Sequence, residues 1–409
     1  MKPTLPPSVS RRHFLAQAGL GLASVSTLSR ATAQGSAANS RLRLGVIGCG
    51  GRGQWITDLF LKHGGYEVVA IADYFESRIT ESITKNKLGE VRKFTGLQCG
   101  EKMIAAGGLD AVAIISPPYF HPAQVKAAVA AKLNVYLAKP PAVDVPSVNS
   151  IAADGKKARQ NGQTFLVDFQ TRAEPFYQEA LRRIHSGALG DYCFGEAFYH
   201  AGRLSRKQVP GTEQELRVHN WVFDQILSGD IIVEQNIHTL DVMSWIMKDT
   251  PPLKVTGTGG RRVRIDVGDC WDHFALVYEY PNNVGITFSS RQFDAHGEPG
   301  GIINHMFGTK GVFLSKYGGD VMIRGGADTF YRGGSTKAIY KDGAVNNIAA
   351  FHAQVLAKDA KNVTLEPSIT SNLVAIMGRM AAYEKRTVTW AEVLASKKKL
   401  QADLTGLQA

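Results

Sequence analysis

The sequence predicts an α/β protein in two parts. Over residues 41–171 it predicts a doubly wound parallel sheet with helices on both faces. Over 172–409 it predicts an α+β region with a large open, mostly antiparallel sheet and C-terminal helices packing back. Three observations lead there. A short apolar run, Leu42–Gly48, enters a glycine-rich turn and then a helical pattern. Apolar runs and helical stretches then alternate as far as Gln170. Beyond residue 172 the β-type runs follow one another without helices between them. A length of 409 residues exceeds one average domain, which agrees with two parts.

The first part opens with "LRLGVIG", a buried strand ending in glycine, and Gly48-x-Gly50-x-x-Gly53 follows. The helical pattern "QWITDLFLKH" comes next, and a second apolar run, "EVVAIAD", ends in Asp73, twenty residues after Gly53. A lone G-x-G-x-x-G says little. Between a strand and a helix, with an acid at this distance, it is the dinucleotide fingerprint of a Rossmann domain. The glycines allow a tight turn and close approach to a pyrophosphate, which meets the free N–H groups of the helix start. Asp73 can accept hydrogen bonds from the adenosine ribose and would repel a 2′-phosphate. Tyr74 and Phe75 follow it rather than arginine, so NAD is favoured over NADP.

Further on, "LDAVAIIS", "NVYLAKP" and "TFLVDFQ" read as strands, with helices "HPAQVKAAVAAK" and "VNSIAADGKKARQ" between them. Ligands bind at the carboxyl ends of strands in such sheets. Ser116, Pro117, His121 and Lys139 stand at those ends, which places them at the cofactor's reactive end or its edge.

In the second part, "PFYQEALRRIHSGALG" reads as a helix ended by glycines and "CFGEAFYHAG" as a strand. The stretch "HNWVFDQILSGDIIVEQNIHTLDVMSWIM" reads as helical. The runs "LKVTGTGG", "DHFALVYEY", "VGITFSSRQF", "INHMFGTKGVFLS" and "DVMIRG" read as strands, with a hairpin signal at "YPNNVG". "IAAFHAQVLAKDA" and "SNLVAIMGRMAAYEK" are helical. Within the long helical stretch, Glu234, His238 and Asp241 share one face at spacings i, i+4 and i+7, after a turn and N-cap at Gly229-Asp230. A carboxylate one turn from an imidazole can fix its tautomer and raise its basicity. A salt-bridged surface histidine gives the same spacing. A metal site is a weaker alternative, for no second histidine stands near.

The N-terminal segment has a different character. Arg11 and Arg12 precede "FLAQAGLGLASVSTL", which carries no charge, and "ATA" at 31–33 fits a small-x-small cleavage site. That order is a secretory signal, and the arginine pair followed by Phe-Leu makes it a twin-arginine signal. Residues 1–33 are therefore set apart, with 34–40 as a linker. A periplasmic or secreted location is expected, with the twin-arginine translocation machinery as partner.

Composition fits a soluble globular protein, with 44% hydrophobic and 20% charged residues. No run approaches the roughly 20 apolar residues of a spanning helix, so no stable membrane insertion is expected after cleavage. The net charge of +11 is scattered, and no basic stripe or motif supports nucleic-acid binding. Cys49, Cys99, Cys193 and Cys270 show neither C-x-x-C nor metal spacing, and read as buried small hydrophobes.

Taken in order, "LGVIGCGGRG", "VAIISPPYFH", "AKPPA", "SGDIIVEQNIHTLDVMSW" and "FGTKGVF" resemble the motifs of the Gfo/Idh/MocA oxidoreductases. That family includes glucose–fructose oxidoreductase and inositol dehydrogenase, and the resemblance covers nearly the whole mature chain. It implies a nicotinamide cofactor, a sugar, polyol or glycoside substrate, and a homo-oligomer. It places the catalytic lysine on Lys139, the catalytic histidine on His238 and its acidic partner on Glu234. Ala138 stands where the family has glutamate, Glu234 where it has aspartate and Asn236 where it has glycine. The missing glutamate removes one contact to the nicotinamide ribose.

The reaction so implied removes a proton from oxygen and a hydride from carbon. His238 takes the proton with Glu234 holding its ring, while Lys139 stabilises alkoxide charge; Lys139 is the base instead if burial lowers its pKa enough to leave it neutral. Arg172, Trp221, Asp241, His273, His200 and Arg291 are candidates for sugar contacts. Outside the cytoplasm free NAD is scarce, so a tightly bound cofactor is expected. Either a second substrate recycles it, or a transient oxidation returns the hydride and makes the protein a redox-neutral glycosidase or lyase. An external electron acceptor and a non-catalytic sugar-binding module complete the alternatives.

Overall fold

β1 (Leu42–Ile47) is buried except for Arg43, as expected of a strand covered on both faces. A computed structural model of the chain describes residues 41–409 apart from 295, 299 and 337. The expected signal and linker, 1–40, lie outside the described residues.

β1 is followed by α1 (Gly51–His63), β2 (Tyr66–Ala72), α2 (Glu76–Asn86), β3 (Arg92–Phe94), α3 (Cys99–Ala105) and β4 (Ala111–Ile114). Then come α4 (His121–Ala130), β5 (Asn134–Ala138), α5 (Val145–Gln160) and β6 (Phe165–Asp168). The six strands are parallel in the order β3-β2-β1-β4-β5-β6. The order reverses between β1 and β4, where such sheets bind their ligands. Local chemistry marks the ends. Gly64 ends α1 at φ 80°, where a side chain would strain, and Asp144 caps α5 by accepting from the Ser147 N–H at 2.8 Å. β3 is too short and too exposed to leave an apolar signal in the sequence.

After α6 (Pro175–His185) and β7 (Tyr192–Ala201) comes α7 (Glu213–His219), opened by a capping box between Thr212 and Glu215. The long helical stretch of the sequence is broken. It becomes a short 3₁₀ turn at 221–223, α8 (Gln225–Ser228), α9 (Ile231–Glu234) and α10 (Ile237–Ile246). Gly229 and Asp230 have φ of 80° and 74°, which no helix accommodates. A second break between Glu234 and Ile237 changes the site, as described below.

The remaining strands are β8 (Lys254–Gly260), β9 (His273–Tyr280), β10 (Val284–Gln292), β11 (Gly301–Gly308), β12 (Gly311–Lys316), β13 (Asp320–Gly325), β14 (Tyr331–Ser335) and β15 (Val388–Thr389). With β7 they form a nine-stranded sheet in the order β14-β13-β12-β11-β7-β10-β9-β8-β15. Its pairings are antiparallel except β7 with β10. Asn282 and Asn283 both take positive φ in the β9–β10 turn, as hairpin geometry asks.

Alternation along the strands gives the sheet two unlike faces. Phe274, Leu276, Tyr278 and Tyr280 of β9 are buried on the side that receives α12 (Leu365–Glu384). On the other side Phe194 is 45% exposed and Val277 38% exposed. Ala344, Ile348 and Phe351 of α11 (Ile339–Leu356) share a core with Phe60 of α1 and with Tyr66 and Tyr136 of the parallel sheet. Leu42–Ala409 thus pack as one unit. All four cysteines are unpaired; Cys49, Cys99 and Cys270 are buried as expected, but Cys193 faces outward on β7.

Candidate active site

The glycine turn sits at the end of β1 and opens α1. Gly48 has φ +94°, and a Cβ there would stand 2.7 Å from the Ile115 carbonyl. A Cβ on Gly53 would stand 1.8 Å from the Gly48 oxygen, so helix and strand pack this closely only because both are glycine. A Cβ on Gly50 or Gly51 would meet nothing within 4 Å among the described residues beyond the neighbouring backbone, so these two face open space. Gly50 caps α1 without a side chain, and no acid stands in the first turn, so the positive helix end is left bare. These features fit a dinucleotide's diphosphate.

The cleft beside this turn is open to solvent and spans about 840 Å³. Asp73, Tyr74, Leu97, Ser116 and Pro117 of the parallel-sheet part line it, together with Val218, His219 and Trp221 of the second part. The Asp73 carboxylate accepts from the Cys49 N–H at 2.7 Å and the Phe75 N–H at 2.9 Å, so it shapes the turn as well as facing the cleft. Burial raises its pKa against those two bonds. Arg78 also lines the cleft, its guanidinium 2.6 Å from the His219 ring.

Lys139 follows β5 and is only 7% exposed. Its ammonium donates to the Glu234 backbone carbonyl at 2.5 Å and to Glu234 Oε1 at 3.1 Å. Burial lowers its pKa; Glu234 opposes this and Arg52 adds to it. His238, in the first turn of α10, is 3% exposed and packs among Phe169, Tyr317 and Tyr340. Its Nδ1 is buried with no hydrogen-bond partner among the described residues. Burial, then the charges of Lys139 and Arg52, hold it far below the usual imidazole range, so it is neutral at pH 7.

Two expectations are corrected here. Glu234 does not hold His238: its carboxylate is on Lys139. The cause is the break between α9 and α10, which takes Glu234 and His238 off a common helix. Asp241 is likewise turned away from this cluster. It is fully buried, and it accepts from Arg172 Nε at 2.9 and 3.0 Å and from Ser371 at 2.7 Å.

Other predicted residues also find structural partners. Arg172 is consumed by Asp241 and by Asp249 at 2.7 Å, with Trp245 beneath it. His121 does not line the cleft. It is fully buried, with Nε2 2.8 Å from the Ser116 carbonyl and Nδ1 3.1 Å from the carbonyls of Pro140 and Pro141. It ties the Ser116 turn to the turn after Lys139, and burial brings its pKa down to about 4. His273 pairs with Asp272 at 2.7 Å, and Asp272 also accepts from the backbone of Arg262, Val263 and Arg264. His200 meets Ser289 at 3.0 Å, and Arg291 donates to backbone carbonyls. Trp221 faces the dinucleotide cleft.

Sequence reasoning missed Arg52 and Asp168. Arg52 lies inside the glycine motif and bonds the buried Asp168 carboxylate at 2.6 Å, while its Nε has no hydrogen-bond partner among the described residues. Asp168 also accepts from Asn347 at 2.8 Å and Gln170 at 3.0 Å. The available signal was an acid at the carboxyl end of β6, where ligands gather. Tyr317 and Tyr340 carried no such signal.

Residues 42–169 match the oxidoreductase family with an NAD-binding Rossmann fold, and 177–314 match the GFO/IDH/MocA C-terminal domain. The chain belongs to the Gfo/Idh/MocA oxidoreductase family. It is 23% identical over 365 residues to myo-inositol 2-dehydrogenase of Thermotoga maritima, covering 86% of this chain and 100% of that one. With inositol 2-dehydrogenase of Acidothermus cellulolyticus it shares 27% identity over 228 residues, 55% of this chain and only 59% of that protein's length. The fold is that of myo-inositol 2-dehydrogenase from Lactobacillus plantarum, with a TM-score of 0.66 at 20% identity over 85% of this chain and 99% of that one.

Proposed function

We propose that this chain is an NAD-dependent dehydrogenase that oxidises a secondary hydroxyl of a cyclic polyol, sugar or glycoside. The observation that carries the reading is the unpartnered Nδ1 of a neutral, buried His238 near the Lys139 ammonium, at the strand ends beside the dinucleotide cleft. Bound NAD supplies the hydride acceptor. His238, neutral at this site, takes the hydroxyl proton. Lys139 donates to the same oxygen as charge develops on it, and Glu234 steadies that ammonium. The names of the inositol dehydrogenases support a polyol-like substrate.

The cofactor is held tightly in this reading. Two side-chain contacts join the two parts that line the cleft, Arg78 to His219 at 2.6 Å and Tyr74 to Glu215 at 3.4 Å. A retained cofactor suits export by the twin-arginine route, which carries folded proteins, into a compartment poor in NAD. Two copies pair through the outer face of the nine-stranded sheet, where Phe194 and Phe307 stack at 4.5 Å.

Product analysis over polyols, sugars and glycosides, with and without added NAD, tests the reading. A ketone formed with NADH supports net oxidation. Cleaved glycoside without NADH supports the redox-neutral reading, and no turnover of any member sinks both. Replacing Arg11 and Arg12 with lysine tests export: unchanged periplasmic yield refutes the twin-arginine route.

A further inference from the structure

The C-terminal segment does not line the dinucleotide cleft but is bonded to residues that do. After α13 (Trp390–Ala395) the chain runs from 396 to 409 without helix or strand, yet it is pinned along its length. The Leu400 N–H donates to Asp144 at 2.8 Å and the Ala402 N–H to Tyr119 Oη at 3.1 Å. Arg217 donates to the Asp403 carbonyl at 2.9 Å. The Leu97 N–H donates to the Gln408 carbonyl at 2.9 Å, and the Gln408 N–H donates to Tyr74 Oη at 3.2 Å. Lys102 donates to the Ala409 carbonyl at 3.0 Å. Gly96 makes room for this approach: a Cβ there would lie 2.4 Å from the Ala409 oxygen.

These anchors belong to two groups of residues that line the cleft. Tyr74, Gly96 and Leu97 come from the segments after β2 and β3. Arg217 immediately precedes Val218 and His219 at the end of α7. One segment therefore joins both groups, and it holds Tyr74, the neighbour of Asp73. A tie of this kind acts on the dissociation of a ligand bound between them. In closely related complexes, affinity is tuned mostly through such dissociation rates.

The geometry points to residues 400–409 as part of the dinucleotide site: a tie between the two groups of residues that line it, which slows nucleotide release. This rests on the NAD reading above and supplies a physical means for tight retention. The tie is built from backbone groups of the segment, so its presence matters more than its side chains.

The test uses NADH as probe and compares the mature chain with one ending at Lys399. Stopped-flow fluorescence reads the NADH dissociation rate, and denaturation followed by nucleotide assay reads what co-purifies. Removal of 400–409 is expected to speed dissociation at least tenfold and to empty the purified protein of nucleotide. Replacing Gln401 and Thr405 with alanine is expected to change neither. If the shortened chain does not fold, the double variant Lys102→Ala/Tyr119→Phe removes two anchors outside the cleft lining and should speed release severalfold. An unchanged dissociation rate in a folded variant overturns the tie and leaves the cofactor reading standing. Failure of the mature chain itself to bind NADH overturns both.

Discussion

Glu234→Gln should move the alkaline limb of the pH–rate profile to lower pH. The Glu234 carboxylate is 3.1 Å from the Lys139 ammonium, and Coulomb's law at an effective dielectric of about 20 gives roughly 5 kcal/mol for unit charges at that separation. Residual solvent and the retained backbone carbonyl reduce this. Charge pairs this close shift protonation by about one to three pH units in proteins. Burial already lowers the lysine's proton affinity, and Glu234 works against it. Removing the charge therefore lowers that affinity further. A lysine that must be protonated to donate to the substrate oxygen then loses its proton earlier as pH rises. The assay is kcat/KM for NADH formation from about pH 5 to 10 in wild type and variant, with circular dichroism to confirm folding. An alkaline limb that stays in place refutes the argument. Movement of the acid limb alone would return Glu234 to His238.

The other predictions concern residues whose roles the structure separates. His238→Ala should lower turnover by about 10²- to 10⁴-fold, while NADH affinity measured by fluorescence titration stays within about twofold. Asp241→Asn breaks a fully buried pair with Arg172 and should cost roughly 3–5 kcal/mol in denaturant unfolding; KM should not change, because neither group faces the reacting centre. Phe194→Lys places a charge on the exposed apolar face of β7 and should shift the mass seen by light scattering toward a single chain. An unchanged mass would remove that face from the assembly.

Much of the fold was legible because it rests on local signals. Leu42–Gly48, the glycine turn and Asp73 lie in contiguous segments, and close packing leaves Gly48 and Gly53 no alternative residue. Lys139 could be placed because the carboxyl end of a strand is a position in the topology as well as in the sequence. β3 and β14 were not foreseen, since three exposed residues or a glycine-rich run form a strand only when a neighbouring edge supplies the hydrogen bonds. The turn and N-cap at Gly229-Asp230 were legible, and the helix beyond them was read as continuous from its apolar spacing. A backbone turn at Gln235–Asn236 broke it, and an i, i+4 relation holds only on one unbroken helix.

The sequence by itself determined the dinucleotide turn and the strand–helix alternation, and it set Lys139 at a strand's carboxyl end. These depend on which residues stand a few positions apart. Only the tertiary structure decided whom the charged groups face. Glu234 met Lys139, Asp241 met Arg172, and Arg52 crossed to Asp168, because a buried charge is satisfied by whatever the folded chain brings within about 3 Å. That partner lies tens or hundreds of residues away, and spacing along the chain carries no record of it.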